Sequence, residues 1–480
     1  MLKGNKGITL IALIITIIVM MILVAVSVTV ALNGGLFNTA KKAATETELK
    51  AEEEMLLSAV VGAIGADGKI EREKLNLPDG FTTTPEGIIE SPNGNRFIVS
   101  ENGEIAVVGY KTQITGLGTG VTLVPYAELT GELKTAADEG KIVAVLKETK
   151  DGIKYQAVIP AGFEVSTTDG EDTISGGLVV FDANKNEFVW APCTTDENDA
   201  SGLTLYAQDK RYNDGTKASQ QWQYANYSDW KDEGENSESV TKYGGFYVGR
   251  YEAGIPSNAP FYASKDGDAY IAEGRNTISY IPVSKPNNPS WNYINYSNAK
   301  TVSENMYSNS VSVESSLIDS YAWDTITNWM ECNYTGIATD SGDYGNFLDT
   351  AISLSDVLYS SAIFDYSTSW WKSSLSQYRK GKLEAPARKW AGEQNLYEIA
   401  TGSMESTKVL NIYDMAGNMW EMTTEIGYHD DINKSREYAV VRGSSIQEDR
   451  AHSGIAYRQG YFQITSTLCN VGFRVVLYVK

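Results

Sequence analysis

The chain has 480 residues and a net charge of −21, from 40 Lys and Arg against 61 Asp and Glu. This charge repels the phosphate backbone of nucleic acids, so we predict no nucleic-acid partner. Hydrophobic residues make up 42% of the chain and aromatic residues 11%, which excludes wholesale disorder and provides for a large core. Two histidines and three widely spaced cysteines exclude a zinc site of standard spacing and leave little material for histidine catalysis.

The first feature along the chain is an uncharged apolar segment at residues 8–32. As a helix rising about 1.5 Å per residue, this segment spans roughly 37 Å, enough to cross a hydrocarbon core of about 30 Å. A cleaved secretory peptide has a shorter apolar region, of about 7–15 residues. We therefore predict a transmembrane helix over 8–32 and a single-pass membrane protein. Lysines on the two sides nearly balance, so charge does not decide the orientation.

The junction before this segment reads KGNKG followed by ITLI, at residues 3–11. It resembles the type IV prepilin signal, in which a short basic leader ends in glycine before a hydrophobic helix. The resemblance implies a leader at 1–7, cleavage after Gly7 by a prepilin peptidase, methylation of Ile8 and a body exported to the cell surface. Ala12 stands where that family has a glutamate that pairs with a neighbouring subunit. This departure favours a minor, tip or anchored subunit, with other pilin-like subunits as expected partners.

The remaining chain is predicted to be α+β and to divide into four parts. Gly34 and Gly35 predict a hinge just beyond the membrane. Short apolar runs on either side of an Asn-Gly turn predict a β-hairpin from 96–99 and 105–108. The four parts are a stalk helix at 33–66, a small β region at 67–110, a Gly- and Thr-rich linker at 111–150 and one irregular domain at 151–480.

The last part carries an ordered set of motifs. Residues 413–421 read YDMAGNMWE, residues 442–445 read RGSS, an arginine stands at 458, and residues 472–474 read GFR. This order resembles the signature of the formylglycine-generating enzymes, also called the sulfatase-modifying-factor family. The segment 316–324 is similar to a helix of that family. The resemblance covers about 330 residues and implies an irregular C-type-lectin-like fold with little regular secondary structure.

Two local patterns in this domain predict structure without reference to a family. Asp319 is placed to cap a helix in which Ala322, Ile326 and Trp329 share one face. The acidic run 182–187 is similar to the start of an EF-hand loop but lacks that loop's glycine and final glutamate. Apolar runs on both sides of it predict a hairpin turn instead.

The YDMAGNMWE motif has a structural and a metal-binding interpretation. Its glycine, like the glycine of RGSS, suits a tight turn, and its tryptophan suits a core position. In the family part of this segment holds calcium, so the resemblance implies the Asp414 and Glu421 carboxylates and the Gly417 and Met419 carbonyls as ligands. Carboxylates with carbonyl oxygens form a donor set that calcium prefers. We expect no required cofactor, with calcium as the metal that the resemblance supports.

An enzyme of this family needs two cysteines between its RGGS motif and the arginines that follow, because they bind copper and activate oxygen. The equivalent stretch here, residues 446–456, contains no cysteine, and the nearby Cys469 is single. One thiol cannot form a two-thiolate copper site. We therefore expect no enzymatic activity. The alternatives are an active sulfatase-modifying-type oxidoreductase and a purely structural minor pilin.

A binding function fits the composition better. Many of the 29 tyrosines and 10 tryptophans stand among Asn, Ser and Gln, as in ligand-binding surfaces. The segment between RGSS and GFR is held at both ends by motif residues and can vary without cost to the fold. Target proteins of diversity-generating retroelements carry this fold and vary in that segment, here about 445–470, so a further interpretation of the resemblance is that this chain is such a target. The expected ligand is a surface glycan or a protein. The predicted contact residues are His452, Tyr457, Tyr461, Gln463, Trp291 and Trp370.

Overall fold

The computed structural model describes residues 50–65, 69–83, 87–93, 95–99, 103, 105–107, 111, 114–206, 227–232, 234, 236–260, 272–373, 375, 378–429, 437–449 and 454–480. The predicted leader, transmembrane helix and first part of the stalk lie outside these residues. Among the residues described, no helix is both long enough and apolar enough to cross a membrane. The chain divides into two compact units, residues 1–108 and 109–480.

The first unit combines a helix with a small antiparallel sheet. Helix α1 covers residues 50–62 within the described part of the chain. The predicted hairpin is present, because Ile98 pairs with Ala106 between two antiparallel strands. The sheet has the order β1-β2-β3-β4. Its strands are β1 (Thr82–Thr83), β2 (Ile89–Glu90), β3 (Arg96–Val99) and β4 (Ile105–Val107). The side chains of this core are Leu56, Val60, Phe81, Ile89, Phe97 and Val99.

The segment 111–150, for which the sequence predicts a linker, instead belongs to the folded second unit. It contains helix α2 (Gly131–Asp138) and strands β5 (Thr122–Leu123) and β6 (Ile142–Lys150). Strand β6 pairs with β5 and with β7 (Ile153–Pro160) in a three-stranded sheet. The linker prediction is wrong because the Gly and Thr bias ends at about residue 122. The five apolar residues 142–146 are buried and need a paired strand.

The largest sheet of the second unit has seven strands and the order β14-β23-β13-β10-β9-β8, with β11 beside β10. Its strands are β8 (Phe163–Val165), β9 (Val179–Asp182), β10 (Glu187–Thr194), β11 (Thr204–Leu205), β13 (Gly245–Gly249), β14 (Val313–Leu317) and β23 (Val475–Val479). The predicted hairpin turn at 182–187 joins β9 to β10. The Asp182 carboxylate accepts from the Asn186 backbone at 2.8 Å and from the Tyr307 hydroxyl at 2.7 Å, so it stabilises the turn.

Two further sheets carry the motifs. The five-stranded sheet has the order β12-β19-β20-β21, with β22 parallel to β19. The four-stranded sheet has the order β16-β15-β17, with β18 beside β15. Their strands are β12 (Tyr227–Asp232), β15 (Ile352–Asp365), β16 (Trp370–Trp371), β17 (Tyr378–Ala385), β18 (Glu393–Ile399), β19 (Trp420–His429), β20 (Glu437–Arg442), β21 (Arg458–Gln463) and β22 (Val471–Phe473). The fold is thus mixed and mostly β, with more regular strand than the resemblance implies.

Few helices accompany these sheets in the described residues. They are α3 (Ser237–Tyr243), α4 (Ala272–Arg275), α5 (Tyr296–Asn305) and α6 (Ser320–Asn333). The predicted cap of α6 is confirmed, since the Asp319 carboxylate accepts from the Ala322 backbone at 2.7 Å. Ala322, Ile326 and Trp329 are buried in the main core, as the pattern predicts. Trp420 and Phe473 are also buried.

Candidate functional site

The YDMAGNMWE motif forms a tight loop whose conformation its residues explain. Asp414, Gly417 and Asn418 all have positive φ, at 57°, 72° and 56°. Glycine is required at 417 because a Cβ there would lie 2.5 Å from the Asn346 carbonyl oxygen. Asn and Asp tolerate the left-handed conformation better than other side chains do. The loop is therefore the tight turn that the sequence predicts.

The polar side chains of this loop form hydrogen bonds with other residues of the fold. The Asp414 carboxylate accepts from the Thr407 hydroxyl at 2.7 Å and from the Thr401 hydroxyl and the Gly402 backbone, each at 2.9 Å. The Asn418 amide donates to the Glu252 carboxylate at 2.7 Å. The Asp414 bonds join the loop to the segment just before it, and the Asn418 bond joins it to Glu252, which is 166 residues away in sequence.

At the end of the motif, Glu421 forms a buried ion pair with Arg474 of GFR. The guanidinium Nε and Nη2 atoms donate to the two carboxylate oxygens at 2.8 and 2.5 Å. Arg474 also donates to the carbonyls of Gly249 and Tyr413, each at 2.9 Å. Both oxygens of Glu421 are therefore engaged by a cation of the protein itself.

Four buried carboxyl groups lie in this region, at Glu252, Glu398, Asp414 and Glu421. Burial is the largest cause that raises the pKa of each. The charges of Asp414 and Glu421 raise the pKa of Glu252 further. Burial raises the pKa of Glu398 to about 8, and its Oε2 atom has no hydrogen-bond partner in the described part of the chain. The interior therefore favours proton uptake by some of these groups.

The four predicted calcium ligands are close in sequence, but their carboxylates already have partners. Asp414 accepts three hydrogen bonds, and Glu421 is paired with Arg474. Among the described residues, no group of three or more His, Cys, Asp or Glu side chains is arranged to hold a metal ion. A calcium ion would have to compete with Arg474 for Glu421. The calcium site at Asp414, Gly417, Met419 and Glu421 stays a prediction.

Two of the predicted contact residues are buried, which corrects their assignment. Trp291 is fully buried, donates its indole N–H to the Arg275 carbonyl at 2.9 Å and packs on Phe473. Tyr457 is 7% exposed, and its ring packs on Trp420 at 5.2 Å between centroids. Neither ring is presented to solvent, because the core of this fold is filled by aromatic side chains.

The other predicted contact residues differ in their surroundings. Trp370 is 72% exposed. Gln463 is half-buried and pairs with Tyr438 across strands β20 and β21. Tyr461 lies on β21, but its side chain, like all of His452, is outside the described part of the chain. Of the six residues, only Trp370 is fully presented to solvent among the side chains described.

Trp370 belongs to a larger aromatic feature, which we call the aromatic ledge and define as Tyr366, Trp370, Trp371 and Trp390. Alternation along β16 places Trp371 inward, 5.0 Å from Phe364, and Trp370 outward. Tyr366 packs against Trp390 at 6.1 Å, and Trp390 is 40% exposed. Trp390 follows Arg388 and Lys389 and has no aromatic neighbour in sequence, so no local pattern indicates it as a contact residue.

The aromatic ledge is fixed to the segment that follows RGSS. The Gln447 carbonyl accepts from the Tyr366 hydroxyl at 2.5 Å and from the Trp390 indole at 3.1 Å. The Gln447 side chain in turn accepts from the Asn470 amide at 3.0 Å. The structure thus brings Tyr366 and Trp390 to the first residues of the predicted binding segment, although 81 and 57 residues separate them from Gln447 in sequence.

The three cysteines are separate free thiols. Cys193 and Cys469 are buried, and Cys332 is exposed. Burial raises the pKa of Cys469 to about 12 and also raises the pKa of Cys193. A buried, protonated thiol is a poor nucleophile and a poor metal ligand.

In the comparison with known proteins, the motif region matches a protein-family model. Residues 362–479 match the domain family described as Sulfatase-modifying factor enzyme 1-like domain. The match includes YDMAGNMWE, RGSS and GFR, and it begins after residue 151, so the upstream part of the resemblance stays a prediction. No curated protein gives a significant match.

Two solved structures show weak similarity to the chain. "Crystal Structure of CarF" has 12% identity, covers 53% of this chain and 97% of that chain, and has a TM-score of 0.30. "Major Tropism Determinant P3c Variant" has 10% identity, covers 83% of this chain and 96% of that chain, and has a TM-score of 0.22. Both similarities are too weak to transfer a function to this chain.

The buried carboxyl at Glu398 predicts a pH-dependent stability. Its pKa is about 8 in the folded chain, against about 4.3 for an exposed glutamate in the unfolded chain. Between these values the folded chain binds the extra proton, so the free energy of unfolding should fall as pH rises, by up to about 1.4 kcal/mol per pH unit. Urea unfolding from pH 5 to 8 should show this slope, and Glu398→Gln should reduce it. Glu384→Gln, at an exposed position on β17, is the control, and an unchanged slope in Glu398→Gln would contradict the assignment.

Proposed function

We propose that the chain is a membrane-anchored, pilin-like surface protein whose sulfatase-modifying-factor-type domain binds an external ligand without catalysis. The ligand is a surface glycan or a protein. The aromatic ledge carries this proposal, because it presents the exposed rings of Trp370 and Trp390, and its Tyr366 and Trp390 are hydrogen-bonded to the segment after RGSS. Rings that are held in place before binding lose little conformational entropy when a ligand contacts them.

The turn that presents Trp370 is itself well fixed. The Asp365 carboxylate accepts from the backbone N–H of Ser367 at 3.0 Å and from its hydroxyl. The hydroxyl bond is the main cause that lowers the pKa of Asp365 to about 2. Since the carboxylate stays ionised at neutral pH, the turn keeps its hydrogen bonds under the conditions in which a surface protein works.

The cysteine positions support a binding function over an oxidase function. The stretch 446–456 has no cysteine, and the nearby Cys469 is buried among apolar and aromatic side chains. Its raised pKa keeps it protonated at neutral pH. The chain therefore offers no pair of thiolates for copper in the segment where the family places it.

The alternative function is that of an active sulfatase-modifying-type oxidoreductase, which the match at 362–479 favours. Incubation with copper, oxygen and a cysteine-containing sulfatase peptide separates the two. Turnover that disappears in Cys469→Ser would establish the enzyme. If the peptide stays unmodified, the binding function is supported. If no ligand is found either, the chain is interpreted as a structural minor pilin.

The membrane anchor rests on the uncharged segment 8–32 and its basic leader. If the chain is processed as a prepilin, cleavage after Gly7 should leave Ile8 as the N-terminal residue. Mass spectrometry of protein extracted from membranes should find that terminus, and Gly7→Leu should block the cleavage. An intact Met1 in cells that process other prepilins would leave a plain signal anchor.

Ligand binding through the aromatic ledge is tested by truncation of its exposed rings. Aromatic anchors commonly contribute about 2 kcal/mol to an interface, so Trp370→Ala and Trp390→Ala should each weaken binding roughly thirtyfold. Binding is measured on a glycan array and on immobilised cell-surface proteins. Val311→Ala, at an exposed apolar residue outside the aromatic ledge, is the control.

Melting temperatures complete that test. Trp370→Ala should leave the melting temperature nearly unchanged because the ring is exposed. Tyr457→Ala should lower it, because this ring is buried against Trp420. Ligand binding that survives truncation of both ledge tryptophans would place the binding surface elsewhere.

A further inference from the structure

A polar cleft in the second unit is formed by residues other than those of the aromatic ledge. Its volume is about 540 Å³, which is within the usual range of small-ligand sites. It lies where the turn after β8, the end of helix α6 and the segment before YDMAGNMWE meet. The residues that matter for its chemistry are Lys150, Thr168, Asp169, Tyr334 and Asn411.

The floor of the cleft is rigid before any ligand binds. Asn411, with φ of 64°, donates its amide to the Gly170 carbonyl at 2.7 Å and to the Gly177 carbonyl at 2.8 Å. Ser175 is held by the Glu148 carboxylate through its backbone at 2.8 Å and its hydroxyl at 2.6 Å. Binding on such a surface needs little reorganisation of the protein.

Two of the charged side chains in the cleft are already neutralised. Glu171 is paired with Arg250 at 2.5 Å, and both side chains are largely buried. Lys408 is paired with Glu405. Within the part of the chain that is described, the side chains of Lys150 and Asp169 have no ion-pair partner. The cleft therefore presents one cation and one anion for recognition, and its net charge is close to zero.

The remaining groups match a polyhydroxylated ligand. Tyr334 is 39% exposed, and the edge-on contact with Tyr344 at 5.8 Å fixes the orientation of its ring. Lysine only donates hydrogen bonds, an ionised aspartate only accepts them, and the hydroxyls of Thr168 and Tyr334 do both. A sugar needs this mixture, because each hydroxyl donates and accepts while one face of the sugar ring is apolar and packs on an aromatic ring.

We propose that this cleft binds a neutral saccharide, with the sugar ring packed on Tyr334 and its hydroxyls bonded to Lys150, Asp169 and Thr168. A phosphorylated ligand fits less well, since Lys150 is the one cation in the described lining that is not already paired. The site is independent of the aromatic ledge, so the domain would hold two separate recognition surfaces.

The test is isothermal titration calorimetry of the full chain in a detergent without a sugar headgroup. The probes are cellotriose, maltotriose and triacetylchitotriose, with trigalacturonate and triglycine as charged controls. At least one neutral trisaccharide should bind. Tyr334→Ala should weaken that binding about tenfold, Asp169→Asn should also weaken it, and Tyr334→Phe should keep most of it because the ring remains.

Val311→Ala, at an exposed apolar residue outside both the cleft and the aromatic ledge, is the control and should leave trisaccharide binding unchanged. Melting temperatures of all variants should match the wild type, because the altered side chains are exposed. The proposal is overturned if no neutral trisaccharide binds or if binding is insensitive to Tyr334→Ala. Binding of trigalacturonate or triglycine alone, lost in Tyr334→Ala, would also overturn the saccharide assignment.

Discussion

The buried ion pair between Glu421 and Arg474 is the interaction on which the second unit depends. Arg474 also donates to the carbonyls of Gly249 and Tyr413, so one guanidinium joins strands β13 and β19 to the motif loop. Taking two charges out of water costs several kcal/mol for each ion. The cost is offset only when every partner is in place, which makes the arrangement of these three segments nearly all-or-none.

This constraint explains why we assign a structural role to the motifs that resemble an enzyme signature. The polar side chains of the motif are bonded within the protein. The pairs are Asp414 with Thr407, Asn418 with Glu252 and Glu421 with Arg474. A side chain that is engaged in this way has little left for a substrate. In our proposal, recognition belongs to the aromatic ledge and the polar cleft instead.

Local patterns predicted local structure well. The hairpin of β3 and β4, the turn between β9 and β10 and the Asp319 cap of α6 depend on residues close in sequence, and all are present. The family match also falls on the motifs that the sequence analysis selected.

Side-chain burial was predicted less well because it depends on distant contacts. Trp291 stands beside polar residues, which favoured a surface position. Its neighbour Asn292 is itself buried and donates to the Cys469 carbonyl at 2.6 Å. Tyr457 was likewise selected from a polar segment, whereas its position is fixed by Trp420. The sequences around Gln447 and Trp390 contain no pattern that predicts the contact between these two residues.

The most direct test of this account is a double-mutant cycle on the ion pair, measured by urea unfolding of Glu421→Leu, Arg474→Met and the double variant. Each single variant should lose about 3–5 kcal/mol, because it leaves one buried charge without its partner. The double variant should be more stable than either single variant. Single variants as stable as the wild type, or losses that simply add in the double variant, would contradict a structural role for the pair.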